Sequence, residues 1–276
     1  MSLTQINANI QALESLRTLN SINGRMSMHQ TRLSTGKKIN STEEDPAGFA
    51  LATGLERRRR GLDVAAQNVS NAKNILNVAE GGYQNQLDIL QTIKEKATQA
   101  ADYSLSTAQR TAIHDQVNAL LNEIDAIEDE TTFNGDNLID GGYDGYFQTG
   151  ERADDNLHVS LNQSDSSSVG GTDVSGIDLT TANGASTAIT TVSAAIDDLA
   201  DSLQAIGEYK ARLSSKESVL AVASTNTEAV RSSVEDADYA KEQMEVMKLQ
   251  IMQQTAVSSF AQANSSGQVV LSIVGR

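Results

Sequence analysis

From Leu62 onward an apolar residue returns every seventh position, at Leu62, Val69, Leu76, Tyr83, Leu90 and Ala97. Three places after each stand Ala65, Ala72, Ala79, Gln86, Ile93 and Ala100. Six heptads in one register restrict this stretch to an α-helix laid along another helix, because only a helix slightly underwound to about 3.5 residues per turn keeps such a stripe facing one partner. The mixture of large and small residues on the stripe lets the partner come close. A second stretch repeats the rhythm at Ile113, Val117, Leu120, Ile124 and Ile127, and a third at Ile189, Val192, Ile196, Leu199, Leu203 and Ile206. Three amphipathic segments sharing one period are expected to pack side by side, with Leu62, Val69, Leu76, Leu90 and Ile93 of the first in their core. After Ile206 the third register meets Lys210, recovers at Leu213 and shifts to Leu220, Ala223, Val230 and Val234. That shift predicts a local loosening. Gly81-Gly82 predicts a weak point in the first segment, at about 1 kcal/mol per glycine relative to alanine.

Between the second and third segments the period changes. Leu157, Val159 and Leu161 alternate with His158 and Ser160, and Tyr146-Phe147 precede a polar connection, which predicts a β-hairpin. Residues 163–187 are rich in Ser, Gly, Thr and Asp and predict an exposed linker with little packed core. Aromatic residues make up only 4% of the chain and Trp is absent, so a single thick globular core would lack large side chains. The fold class these features predict is mainly α: an elongated antiparallel coiled-coil or helical-bundle rod with a small β-hairpin, plus paired N- and C-terminal helices. The two ends are alike in kind. Ile6, Ile10, Leu13, Leu16, Leu19, Ile22 and Met26 form an apolar stripe near the start; Met244, Met247, Leu249, Ile251, Met252, Ala256 and Phe260 form a wide one near the end. Isolated, both would be marginal helices in water. Burial against each other and against neighbouring copies would order them.

Charge narrows the function. Residues 1–60 carry nine Lys/Arg against five Asp/Glu, residues 61–160 five against seventeen, and the whole chain has a formal net charge of −15. A basic beginning and an acidic middle can steer copies of the chain onto one another. The acidic body repels phosphate backbones, so no nucleic acid is expected as partner. The run Arg57-Arg58-Arg59-Arg60 does not alter this, since consecutive helical residues point about 100° apart and no stacking aromatics interleave them. It is either a solvated run with local pairs, Glu56 with Arg60 and Arg59 with Asp63, or a set of inter-subunit charges for acidic runs such as Glu128-Asp129-Glu130. His29, His114 and His158 are scattered and read as exposed structural residues. Glu43-Glu44-Asp45 lies in a loop-like stretch beside Pro46, and Gly36-Lys37-Lys38 lacks the rest of a phosphate loop. No catalytic residue, cofactor or metal ligand is expected. Without cysteine no disulfide forms. No stretch approaches ~18 apolar residues, and the start lacks the features of a cleaved secretory signal. These point to a protein that does not insert in membranes and that stays in the cytosol or leaves by a route needing no cleaved signal.

Several separate motifs carry one resemblance. They are "INANIQAL" at 6–13, "RLSTGKKINS" at 32–41, "EDPAGFALATGL" at 44–55, "GLDVAAQNVSNAKNILNVAEGG" at 61–82, "FNGDNLIDG" at 133–141, "FQTG" at 147–150 and "LHVSL" at 157–161. At the other end stand "DADYAKE" at 236–242, "QIMQQTA" at 250–256, "FAQAN" at 260–264 and "VLSIVGR" at 270–276. In this order, over about residues 1–161 and 189–276, the chain resembles bacterial flagellin, the subunit of the flagellar filament. The resemblance implies an inner tube domain from residues 1–40 and 235–276, to which Leu33, Val270 and Ile273 add self-assembly positions, and a connecting spoke at 41–61. It also implies a rod domain from 62–162 and 188–234, and a variable insertion shortened to 163–187, as in a minimal flagellin. It implies many copies in a helical filament outside the cell, export of the unfolded chain through the flagellar secretion channel without a cleaved signal, and partnership with an export chaperone, cap and hook-associated proteins. A hook–filament junction protein shares the same helical plan and stands as the alternative. Two departures matter. Ser232-Ser233-Val234 stands where the family often has Ser-Arg-Ile, and the nearby arginine run is expected to offset the missing charge. Thr92, Lys96 and Gln116 replace the Arg, Leu and Glu of the segment read by a Toll-like receptor, so weak or no receptor recognition is expected.

Overall fold

The computed structural model describes residues 9–274, with side-chain surroundings described for residues 9–265. Its helices are α1 (Ile10–Thr35), α2 (Pro46–Ala100), α3 (Thr107–Glu130), α4 (Ala182–Glu235) and α5 (Tyr239–Val274). Its strands are β1 (Thr132–Phe133), β2 (Asp136–Asn137), β3 (Asp144–Gln148) and β4 (Asn156–Ser160), paired as two small antiparallel ladders. The chain is thus mainly helical.

Local sequence sets most boundaries. Asn9 caps α1, its side chain accepting from the Ala12 amide at 3.1 Å. Gly36 ends that helix in the left-handed conformation (φ 71°), its N–H donating to Arg32 O at 2.9 Å. Pro46 opens α2, where a missing amide costs nothing, and Asp45 accepts from the Gly48 amide at 3.0 Å. Ser106 and Gln109 form a capping box on α3. Asn134-Gly135, with φ 56° and 94°, make the two-residue turn between β1 and β2. That hairpin is the one an Asn-Gly pair signals.

The chain divides into two compact units, and the division falls within α2 and α4. One unit is Arg58–Thr225. In it all twelve heptad positions of α2 from Leu62 to Ala100 are buried. They meet Ile113, Val117, Leu121 and Ile124 of α3 and a series on α4. Helices α2 and α4 run antiparallel in a register marked by Ser224 to Asp63 (2.9 Å), Lys73 to Glu217 (2.9 Å) and Lys210 to Glu80 (2.6 Å).

Buried polar groups of this unit are bonded across elements, with His114 Nδ1 and Asp165 Oδ1 left without a partner. The Gln86 amide nitrogen donates to Ile124 O (3.1 Å) and Ser164 O (2.7 Å), and its oxygen accepts from Ser164 Oγ (2.5 Å). This joins α2, α3 and the stretch after β4 at one point. Tyr83, also fully buried, donates to Asn162 O at 2.5 Å, and burial pushes its phenol up. Arg110 closes the end of α2, donating from Nε to Ala100 O (2.8 Å) and from Nη2 to Asp102 O (2.6 Å).

Several expectations need correction. On α4 the buried positions are Ala185, Val192, Leu199, Ile206, Leu213, Leu220 and Thr227, one every seven, with Ala188, Ala195 and Ser202 between the first of them. No register shift occurs there. Ile189, Ile196 and Leu203 flank this seam and are half-buried, as are Leu120 and Ile127 beside the α3 core. The helix begins at Ala182, six residues before position 188. Residues 163–187 do contain packed core: Val169, Val174 and Leu179 are fully buried and Ile177 nearly so. This stretch is tied down by Ser166, which donates to Asp125 from its amide (2.6 Å) and its hydroxyl (3.0 Å), and by Thr172 donating to Asp198 (2.6 Å). Gly82 is a requirement, not a weak point. A β-carbon there would stand 2.7 Å from Thr131 Oγ1 and 2.9 Å from its Cγ2. The hairpin of β3 and β4 buries Leu157 and Val159 and leaves His158 outside, stacked against Tyr146 with ring centroids 4.7 Å apart.

Candidate functional site

The other unit is Met1–Arg57 with Asn226–Arg276, and it brings the two chain ends together. Here α1 and α5 pack antiparallel: Asn9 Nδ2 donates to Ala263 O (2.8 Å), Gln253 Nε2 to Asn23 Oδ1 (2.7 Å), and His29 Nδ1 meets Glu242 Oε2 (2.5 Å). The least exposed positions of α1 include Ala12, Ser15, Leu19, Ile22, Met26, His29 and Leu33. On α5 they include Glu242, Val246, Leu249, Gln253, Ala256, Phe260 and Ala263. Each set alternates steps of three and four, the spacing of a two-helix seam. Ile22, Leu249 and Ala256, with Leu19 and Met26 against them, are its apolar centre.

One end of the seam is polar. His29 and Glu242 are 8% and 7% exposed; Arg32 lies 3.7 Å from Glu242 and 3.5 Å from Glu44. His29 is therefore a buried, paired residue, contrary to the expectation of an exposed one. Next to this cluster the segment after α1 is bonded to the α4–α5 junction. Lys38 N donates to Glu235 O (2.6 Å), Ala237 N to Gly36 O (2.9 Å), and Lys37 Nζ meets Glu235 at 2.5 Å. Glu235 also takes Arg231 Nη1 (2.6 Å), while Arg231 grips Glu228 through Nε (2.9 Å) and Nη2 (2.6 Å) and has Glu56 at 3.8 Å. Hydrogen bonding to Glu228 raises the guanidinium further above its ordinary value. Arg231, one position before Ser232-Ser233-Val234, thus joins Lys37 as a cation of this junction.

The predicted self-assembly residues separate into two classes. Leu249 and Ala256 are buried in the seam, Ile22 with them, and Leu19, Met26, Leu33 and Phe260 are half-buried along it. The rest face outward: Ile10 is 55% exposed, Met244 59% and Ile251 66%, with Leu13, Leu16, Met247 and Met252 also exposed. A groove of about 370 Å³ beside the seam is lined by Ile22, Ile251, Met252 and Ala256 together with Ser15, Thr18 and Thr255. Ile6 lies outside the described residues, as do the side chains of Val270 and Ile273. Val246, Glu242 and His29 were missed by sequence reasoning. Their signal is the 3-4 spacing, which includes polar residues as well as apolar ones.

The remaining candidates lie along α2 and α3. Arg59 pairs with Asp63 four residues on, at 2.8 Å, and Arg58 reaches Glu151 of the β3–β4 connection at 3.1 Å. Arg57 is exposed. Thr92 and Lys96 are half-buried and Gln116 exposed; the Thr92 hydroxyl donates to Asp88 O in its own helix (3.0 Å). Glu128 is half-buried, and its carboxyl is raised by that burial and by Asp129, Asp165, Asp140 and Asp125 around it. Among the described residues no group of His, Cys, Asp and Glu could hold a metal ion, and no helix is long and apolar enough to cross a membrane.

Residues 6–144 match the family described as the bacterial flagellin N-terminal helical region, and residues 189–274 match the bacterial flagellin C-terminal helical region. The chain belongs to the bacterial flagellins. Flagellin FlaB1 of Treponema pallidum (strain Nichols) is 32% identical over 283 residues, covering 98% of this chain and 99% of that protein. The flagellar filament 33 kDa core protein of Treponema phagedenis is 30% identical over 283 residues, with the same coverage. The crystal structure of Bacillus cereus flagellin aligns at 24% identity and a TM-score of 0.43, over 58% of this chain and 88% of that one. The two flagellin regions contribute one helix each to the seam, α1 and α5. Residues 145–188, between the two matched regions, hold most of the β3–β4 hairpin and the stapled stretch after it.

Proposed function

We infer that this flagellin is the structural subunit of a flagellar filament and polymerises by burying the outward faces of α1 and α5 against further copies. The observation that carries the reading is the apolar outward side of the paired ends, above all Met244, Met247 and Ile251. Large apolar side chains left outward on a helix mark a surface that another chain covers. The α1 seam covers one side of α5, and identical neighbours in a tube cover the others. On this reading residues 1–40 and 235–276 form the inner tube, 41–61 the spoke, and 62–162 with 188–234 the outer rod, with 163–187 as its short variable part. Arg57 to Arg60 add inter-subunit ion pairs beyond their pairs within the chain. The work is structural, with no enzymatic step and no nucleic acid or membrane as partner. The chain leaves the cell unfolded through the flagellar channel, served by an export chaperone, cap and hook-associated proteins, and Thr92, Lys96 and Gln116 leave it a weak Toll-like receptor ligand. The test is elongation of filament seeds by purified chain. Wild-type chain is expected to elongate them, and Met247→Lys and Ile251→Lys to stop elongation while the main urea-unfolding midpoint of the soluble chain stays put. Undiminished elongation by both variants overturns the reading.

A further inference from the structure

The seam between α1 and α5 has one layer in which both partners are ionisable. His29 and Glu242 are buried against each other at 2.5 Å, and Arg32 and Glu44 extend the charge at 3.7 and 3.5 Å. Apolar packing alone does not explain why α5 meets α1 with this side or in this register. Rolled half a turn, α5 would offer Met244, Met247 and Ile251 over its first turns, in place of Val246 and Leu249. Slid by one heptad, it would set Phe260 opposite Leu19 and Val246 opposite Leu33, again apolar on apolar. Both alternatives lose the polar layer, and the slide also breaks the Asn23–Gln253 bond and the backbone bonds of Gly36 and Lys38 to Ala237 and Glu235. The roll turns Glu242 away from His29, and the slide sets His29 against Leu249. Each strands a buried imidazole beside apolar neighbours, and a polar pair at a seam position is the device that separates otherwise equivalent helix pairings, at some expense in stability.

We propose that the His29–Glu242 layer selects the face and register of α5 on α1, and so decides which apolar residues are left outward for polymerisation. The proposal rests on the reading of those outward residues as the polymerisation surface. It is tested by cross-linking, which the absence of native cysteine makes clean. Ser15 and Ala256 line one groove across the seam, so S15C/A256C reports the native register, and S15C/A263C reports a slide of one heptad. In the otherwise wild-type chain only the first pair is expected to close. In H29L/E242L the second closes as well, the native-to-slid yield ratio falling several-fold, and in the swapped H29E/E242H the first again predominates. Exclusive closure of the native pair in H29L/E242L overturns the proposal, and so does failure of the native pair to close in the wild-type background. Wild-type chain that does not elongate seeds refutes the polymerisation reading instead, and leaves the cross-linking readout intact.

Discussion

Gly81 and Gly82 are neighbours in α2 with opposite surroundings. A β-carbon on Gly81 meets nothing within 4 Å, whereas one on Gly82 runs into the Thr131 side chain and comes within 3.2 Å of Ile139. Gly81→Ala is therefore expected to stabilise the chain by about 0.5–1 kcal/mol, the helix-propensity difference. Gly82→Ala is expected to destabilise it by about 1–3 kcal/mol, the cost of overpacking a filled site. Urea unfolding of the soluble chain checks both, and equal signs would contradict the packing described. Glu128 gives a prediction in pH. Burial and then the four carboxylates Asp129, Asp165, Asp140 and Asp125 raise its pKa in the folded chain. A raised carboxyl binds its proton more tightly folded than unfolded, so its contribution is most favourable below the unfolded value and is lost as pH rises through the folded one. Glu128→Gln is expected to raise the melting temperature at pH 7, with the gain shrinking as the solution is acidified toward pH 4. A gain that grows on acidification would refute this assignment of cause.

At the scale of elements, the sequence was most legible where the seam positions repeat with few bulkier apolar neighbours beside them. The α2 heptads could be counted, and all twelve positions are buried. On α4 the seam is carried partly by Ala188, Ala195 and Ser202, so hydrophobic weight fell on their bulkier neighbours Ile189, Ile196 and Leu203, one position along, and the apparent slip after Ile206 came from following that flank. Residues 163–187 misled for a related reason. Val169, Val174, Ile177 and Leu179 are scattered among turn formers, and the stretch that buries them is held by Asp125 and Asp198 of distant helices, which no local pattern reveals. In the candidate site the apolar stripes of α1 and α5 could be read, but not which of their members lie in the seam and which face outward. The His29–Glu242 layer could not, since it pairs residues 213 positions apart. The small seam residues make a prediction of their own. Ala195 is fully buried where helices approach closely, so Ala195→Leu is expected to lower stability by about 1–3 kcal/mol. The urea midpoint measures it, and an unchanged midpoint would mean that the α4 seam lies elsewhere.

At the scale of the whole molecule, the two units differ in what holds them. Residues 58–225 share one continuous core running from Leu62 on α2 to Leu220 on α4. The paired ends rest on Ile22, Leu249 and Ala256 with Leu19 and Met26, on the polar layer, and on the bonds at the α4–α5 junction. Segments with few buried apolar contacts open at lower free energy than a continuous core, and cleavage of an open form follows its population. Brief trypsin treatment of the isolated chain is therefore expected to cut at exposed Arg17, Arg25, Lys241 and Lys248, to trim the opened ends at Arg57 and Arg231, and to leave a resistant fragment close to residues 58–231. Polymerisation buries the outward faces of α1 and α5, and binding that selects the folded form lowers the open population in proportion. The same four sites are then expected to be protected in filaments, with the fragment boundary unchanged in the soluble chain. Mass spectrometry of timed digests reads both states. Cleavage inside 58–225 as fast as at the ends would show that the core difference is not one of stability. Equal cutting of the ends in soluble and polymerised chain would show that filament contacts lie away from α1 and α5.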